Sequence, residues 1–145
     1  KMKMNVGLGS DGAPCNNNMN QLIEMRLCGL MQKVKNNSKS MHARDIFKMA
    51  VFNGLKPLSM ENSHGTIENG KQADFLLVKK RTVHSSTFLK NPFSSLVYSI
   101  YPSDIQYVFA GGRMLKEKGR VKVYNENDLI EEKERWLKDL LSDRF

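Results

Sequence analysis

The chain has 145 residues, 40% hydrophobic and 26% charged, with a formal net charge of +8. That length and balance suit one ordinary globular domain with a real core and exclude a disordered or fibrous chain. No apolar run approaches the roughly 20 residues needed to span a bilayer, and no signal-peptide pattern opens the chain, so the expectation is a cytoplasmic protein without a membrane segment.

The first predicted element is a strand over residues 4–9, Met-Asn-Val-Gly-Leu-Gly. It ends abruptly at Asp11, followed by Gly12, Ala13, Pro14 and the asparagines Asn16, Asn17 and Asn18. A short apolar run, a tight turn carrying one carboxylate and a helix start is the natural reading. Ligands of α/β proteins sit at the carboxyl ends of strands, which gives Asp11 a place where chemistry is done. By pattern alone Asp11 reads first as a turn residue bonding its own backbone, as short acids at strand ends do.

The asparagine cluster can cap a helix over about 18–35, in which Met19, Leu22, Ile23, Leu27, Leu30, Met31 and Val34 recur at three- and four-residue steps. Methionines in such a stripe read as core. After a polar loop at 36–39, Ser40 is placed to cap a second helix over about 41–53 that buries Ile46, Phe47, Ala50 and Val51. Asn53-Gly54 stops it, with Pro57 beyond. His42, in its first turn, has no second histidine at helical spacing and reads as a surface residue.

The character changes after Pro57. Residues 61–71 are rich in turn formers, and residues 73–78, Ala-Asp-Phe-Leu-Leu-Val, read as a buried strand. His84 falls in a serine-rich loop with no partner for a metal role. Residues 92–100 read as helix or extended chain. Residues 105–110 form a strand, and Gly111-Gly112 turns it into a hairpin with Arg113 to Leu115. Gly119 marks a further turn before 121–124. A closing helix aligns Leu129, Ile130, Lys133, Trp136, Leu137, Leu140 and Leu141 along one face, with acids leading and bases following. Trp136 is expected to anchor its packing.

Charge and thiols narrow the partners. The basic residues are spread out: Lys79-Lys80-Arg81 is the densest run, and Lys116, Lys118, Arg120 and Lys122 alternate as on the solvent face of a hairpin. Neither stretch carries the interleaved aromatics of a single-strand platform, so no nucleic-acid partner is expected. Cys15 and Cys28 have no paired-motif spacing and read as free thiols.

A single leading strand followed by helices needs neighbouring strands to bury it, and the chain opens on Lys1 rather than on methionine. Both are expected of a piece of a larger protein. Here a resemblance becomes specific. Val6-Gly-Leu-Gly-Ser-Asp-Gly resembles the last barrel strand of the metal-dependent amidohydrolase superfamily. The continuation Asn16-Asn-Asn-Met-Asn, Glu24-Met-Arg-Leu and Gln32-Lys33 is similar to the branch holding the S-adenosylhomocysteine, methylthioadenosine and deoxyadenosine deaminases, with guanine deaminase and the triazine chlorohydrolases as relatives. Met49-Ala-Val-Phe-Asn-Gly resembles the segment that ends the family's second helix here. Gly65-Thr-Ile-Glu-Asn-Gly-Lys-Gln-Ala-Asp-Phe-Leu-Leu-Val resembles its glycine-lysine-alanine-aspartate signature. Leu96-Val-Tyr-Ser, Asp104 and Val108-Phe-Ala-Gly-Gly-Arg resemble its closing strands. The match runs over nearly the whole chain, in the family's order.

The fold this implies is α/β: residues 1–57 as the end of a (β/α)8 barrel, 58–124 as the carboxyl-terminal part of a small β-sandwich domain, and 125–145 as a terminal amphipathic helix. In the parent enzyme the resemblance implies one zinc or iron held by four histidines, two of them in an HxH motif, and by the aspartate ending the eighth strand, here Asp11. Asp11 would touch the metal and take the proton of its water, whose pKa the cation lowers. The hydroxide would attack the amino-bearing ring carbon of a purine-like small molecule, and protonation of the departing nitrogen would release ammonia. The HxH pair, the other histidines and the general-acid glutamate belong to the first seven strands and are absent from these residues. His42, His64 and His84 fall where the family carries no ligand, and Leu55-Lys-Pro-Leu-Ser departs from the family's usual continuation.

Two expectations follow from these absences. Either the chain is the carboxyl-terminal portion of an aminohydrolase that deaminates a purine nucleoside or related cyclic amidine, inactive alone, or it is a non-catalytic remnant or interaction module. In both, exposed apolar surface leads to an oligomer or to dependence on the missing barrel portion.

Overall fold

The computed structural model describes residues 4–37, 39–80, 82 and 90–142. His84, Arg81 and the last three residues of the expected closing helix lie outside the described residues.

Helix α1, Gln21–Lys35, begins where Asn20 turns its side-chain oxygen onto the amides of Leu22 and Ile23. Capping thus falls to Asn20 and not to the 16–18 cluster, because only the residue next to the first turn reaches its orphan N–H groups. Helix α2, Ala43–Val51, is shorter than the expected 41–53 and has His42 at its N-cap with no side-chain cap bond. The hydroxyl of Ser40 is committed elsewhere, donating toward the carbonyls of Gln32 and Asn37. Helix α3, Pro92–Tyr98, resolves the open reading of 92–100: Asn91 caps it at Ser94 N and Pro92 occupies a first-turn position, where a missing N–H costs nothing.

These three helices share one small core. Ile46 is fully buried and packs with Met25 and Val97, with Leu8, Leu22, Phe47, Ala50 and Tyr98 around them. Phe47 meets Phe93 edge to face at 5.4 Å between centroids, which ties α2 to α3. Gly29 is where α1 lets its neighbours in. A methyl there would stand 2.5 Å from the Tyr98 hydroxyl and 2.9 Å from Ile46 Cδ1.

The second layer is a four-stranded antiparallel sheet in sequential order, β1 Phe75–Val78, β2 Ile105–Ala110, β3 Arg113–Glu117 and β4 Arg120–Val121. The β2–β3 turn has Gly111 at φ +55° and Gly112 at +77°, the two left-handed residues that a tight hairpin of native twist requires. Phe75 stacks on Phe109 across the β1–β2 pair at 4.6 Å. The carboxylate of Asp74 accepts from Gly111 N, and Gly112 N donates to Ala73 O at 3.1 Å, locking the turn against the start of β1. Leu76 and Leu77 are each 49% exposed, so β1 is not the buried strand its composition suggests. Among the described residues it is an edge strand with one ladder neighbour, and both of its faces stay partly open.

Helices and sheet meet at residues 100–104. The Arg26 guanidinium donates to Ile100 O at 3.3 Å and lies 5.0 Å from the Tyr101 ring centroid. A short 3₁₀ turn, Pro102–Asp104, then buries the Asp104 carboxylate, which accepts from Tyr101 N at 2.9 Å.

Helix α4, Glu126–Ser142, is exposed along its whole length, and Trp136 is 65% exposed. The expected anchoring role is therefore not realised: the described residues offer the apolar face of α4 nothing to pack on. No helix among the described residues is long and apolar enough to cross a membrane.

Candidate active-site turn at Asp11

Residues 4–9, expected as a strand, form no ladder with any described strand. The segment is instead held by side chains and by one backbone bond. Asn5 Nδ2 donates to Asn53 O, and Asn53 Nδ2 donates back to Val6 O, both at 2.8 Å. Leu8 N donates to Met49 O at 3.0 Å, and Leu8 O accepts from Gln21 Nε2 at 2.8 Å. A Cβ on Gly7 would lie 3.4 Å from Gly54 Cα, so the segment passes backbone to backbone over the end of α2. An unpaired strand has to satisfy its polar backbone in some other way, and here the Asn53 and Gln21 side chains reach Val6 O and Leu8 O while Met49 O takes Leu8 N.

This clamping aims the turn that follows. Asp11 has φ +61°, in the left-handed region that costs most residues energy but that aspartate tolerates better than most. Its Oδ1 accepts from Gly12 N at 2.7 Å. The local bond of a turn acid is thus present, and it uses one oxygen only; Oδ2 has no protein partner among the described residues, and the side chain is exposed. One oxygen shapes the turn and the other faces outward.

Downstream, Cys15 N and Asn16 N both donate to Gly12 O, at 3.0 and 2.9 Å. Asn16 is the knot of the loop. Its Oδ1 accepts from Asn18 N at 3.0 Å, its Nδ2 donates to Glu24 Oε1 at 2.6 Å, and its carbonyl accepts from Met19 N at 3.3 Å. Reading the asparagines as a helix cap overlooks this role. The available signal was the spacing from Asn16 to Glu24, which puts a carboxylate from the first turn of α1 back over the loop.

His42 and His64 are placed elsewhere. His42 is exposed and lines a surface hollow of about 460 Å³ with Arg44, Asp45, Asn91 and Phe93. His64 sits in a structural chain: its Nδ1 is 2.8 Å from Ser63 Oγ and its Nε2 is 3.5 Å from Asp74 Oδ2, which fastens the turn region to the sheet. Among the described residues no group of three or more histidine, cysteine, aspartate or glutamate side chains could hold a metal ion. Among the described residues, then, no ligand set of the size that zinc or iron takes is gathered in one place.

With this geometry in view, comparison with known proteins identifies the class. Residues 1–115 match the model of the amidohydrolase family, and the chain belongs to that family. It is 37% identical over 131 residues to a 5'-deoxyadenosine deaminase of Methanosphaera stadtmanae, covering 90% of this chain and 30% of that protein. It is 35% identical over 143 residues to a 5-methylthioadenosine/S-adenosylhomocysteine deaminase of Dictyoglomus turgidum, covering 98% and 33%. Among solved structures, an adenosine deaminase from Xanthomonas campestris with bound zinc superposes with a TM-score of 0.88 at 23% identity, over 96% of this chain and 32% of that one. Atrazine chlorohydrolase from Arthrobacter aurescens complexed with zinc superposes at 0.79 and 21% identity, over 89% and 29%. These two likenesses establish an amidohydrolase-type fold for the chain. The chain spans about a third of the length of the relatives it matches.

Proposed function

We propose that the chain forms the Asp11-bearing, carboxyl-terminal portion of a metal-dependent aminohydrolase that deaminates a purine nucleoside or a related cyclic amidine. The observation that carries this reading is the turn at Asp11. The family match over residues 1–115 includes the clamped segment, and that segment leads into a carboxylate with one oxygen held by Gly12 N and the other unpartnered among the described residues. In this reading residues 1–57 complete a barrel, 58–124 belong to a small β-sandwich domain, and 125–145 form an appended helix. The names of the matched relatives support a purine nucleoside as substrate, and the zinc-bearing neighbours support a metal.

The part assigned to this chain is limited to what its residues can do. Asp11 Oδ2 accepts the proton of the attacking water and holds it until the departing nitrogen needs one, while the Oδ1 bond to Gly12 N fixes the direction of that oxygen. A metal, if bound in the complete enzyme, would lower the pKa of that water. The remaining ligands are not among the described residues, and the chain by itself is expected to bind zinc weakly and to release no ammonia. Leu27, Leu30, Met31 and Val34 on α1 and Trp136 on α4 are exposed, which supports cover by further protein, either the rest of a barrel or a second copy.

The test is a chimera. This chain replaces the matching segment of the Methanosphaera stadtmanae deaminase, and ammonia release from adenosine-type nucleosides is measured. The chimera should be active, and Asp11→Asn should lower kcat by about 10²- to 10⁴-fold with the fold intact. An active chimera indifferent to Asp11→Asn would refute the role of Asp11.

A further inference from the structure

We infer that Glu24, acting through Asn16, is a positioning residue for Asp11. The inference rests on the reading of Asp11 as the reacting carboxylate. Asp11 lies within a stretch bracketed by two hydrogen bonds to the first turn of α1. Upstream, Gln21 Nε2 donates to Leu8 O at 2.8 Å; downstream, Asn16 Nδ2 donates to Glu24 Oε1 at 2.6 Å. Two residues separate Leu8 from Asp11 and four separate Asp11 from Asn16, so the loop between the clamps is short. Such a loop has few ways to relax.

The downstream clamp carries more of the load. Gln21 grips a segment that Asn5, Asn53 and Met49 already hold at three further points. Among the described residues nothing comparable duplicates Glu24. The turn from Gly12 to Asn16 closes on itself through Cys15 N and Asn16 N, and Asn18 N and Met19 N close the next turn onto Asn16. All of these are bonds within the loop. The Asn16–Glu24 bond ties that loop to the helix through side chains, and its acceptor is a carboxylate, the stronger kind of acceptor for a neutral donor. Asn20 in turn caps α1, so Glu24 stands on a fixed first turn.

The consequence for Asp11 is geometric. A left-handed φ of +61° in a non-glycine residue persists where its surroundings over-determine it. Release of Asn16 frees the Gly12 carbonyl from one end, and the Asp11 Oδ1 bond to Gly12 N loses its fixed partner. Oδ2 then samples many directions in place of one. Glu24 touches neither substrate nor reacting atoms in this account; it sets where the reacting oxygen points.

The test uses the full chain labelled with ¹⁵N and ¹³C, so that it does not depend on catalysis. In Glu24→Ala the amides of Cys15 and Asn16 should exchange with solvent roughly tenfold faster, the effect of losing one charge-assisted hydrogen bond. The φ-sensitive coupling of Asp11 should move toward a conformational average, and the amides of Met25 and Gly29 in α1 should keep their protection. Glu24→Gln retains the accepting oxygen and should restore both readouts, and Asn16→Ala should reproduce Glu24→Ala. Unchanged exchange at Cys15 and Asn16 in Glu24→Ala overturns the inference. So does a loss spread evenly over α1, or a failure of Glu24→Gln to rescue. The chimera with Asp11→Asn reports separately on whether Asp11 does chemistry, so failure of that reading is distinguishable from failure of the clamp.

Discussion

Gly29 offers the sharpest test of how the helices pack, because two opposing effects meet at one atom. Replacing it with alanine gains about 1 kcal/mol of helix propensity in α1. Against that, the new methyl would stand 2.5 Å from the Tyr98 hydroxyl, 2.9 Å from Ile46 Cδ1 and 3.0 Å from Tyr98 Cε1. Two of these atoms belong to one rigid ring on α3, and the third to a side chain with no exposed surface. Neither neighbour gives way alone, so α2 or α3 must shift, at a cost typical of overpacking, about 1–3 kcal/mol. Taking the upper part of that range, Gly29→Ala should destabilise by about 1–2 kcal/mol. The Tyr98 hydroxyl is buried with no protein partner among the described residues. Tyr98→Phe removes both the atom of closest approach and an unsatisfied polar group, and should stabilise by about 1 kcal/mol. The double variant should then show a favourable coupling of about 1 kcal/mol relative to the sum of the singles. Urea unfolding followed by far-ultraviolet circular dichroism measures all four proteins, with shifts in midpoint at constant slope. A rise in midpoint for Gly29→Ala, or an additive cycle, would refute the close approach of α1 to α3.

Three further outcomes follow from separate parts of the molecule. Asn20→Ala removes the cap of α1 and should cost about 1 kcal/mol in the same urea assay, where no change would mean that the Leu22 and Ile23 amides find another partner. Cys15 is exposed, whereas burial pushes the Cys28 thiol up, so iodoacetamide at mildly alkaline pH should modify Cys15 well before Cys28 as read by mass spectrometry; equal rates would contradict the packing of Cys28. The Lys122 ammonium, 2.8 Å from Glu117, holds that carboxyl below the usual carboxylate range by its hydrogen bond and its charge. A depressed folded pKa stabilises above the unfolded carboxylate's titration and is lost as pH falls through the folded one. Lys122→Ala should return the ¹³C titration of Glu117 to higher pH, and an unmoved titration would remove Lys122 as the cause.

Much of the chain was legible in its sequence, and the parts that were share one property: they rest on interactions a few residues apart. The stripe from Leu22 to Val34, the glycine pair at 111–112 and the alternating run after Arg113 each specify their element through neighbours in sequence. Asp11 stood out for the same reason, as an acid that ends an apolar run. Tertiary structure decided everything that depends on a distant partner. Residues 4–9 have the composition of a strand, but strand pairing needs a second chain segment, and what holds them is Asn53, Met49 and Gln21. Leu76 and Leu77 look buried until the sheet order puts β1 at an edge. Trp136 is an anchor by composition and stands exposed, since an amphipathic face shows which side of a helix wants cover and not what supplies it. The same limit governs Asp11 itself. Sequence picked out the carboxylate; only the folded chain showed one oxygen bound to Gly12, the other free of protein partners among the described residues, and the loop tied back to Glu24, because those bonds join groups that meet only when α1 docks beside the turn.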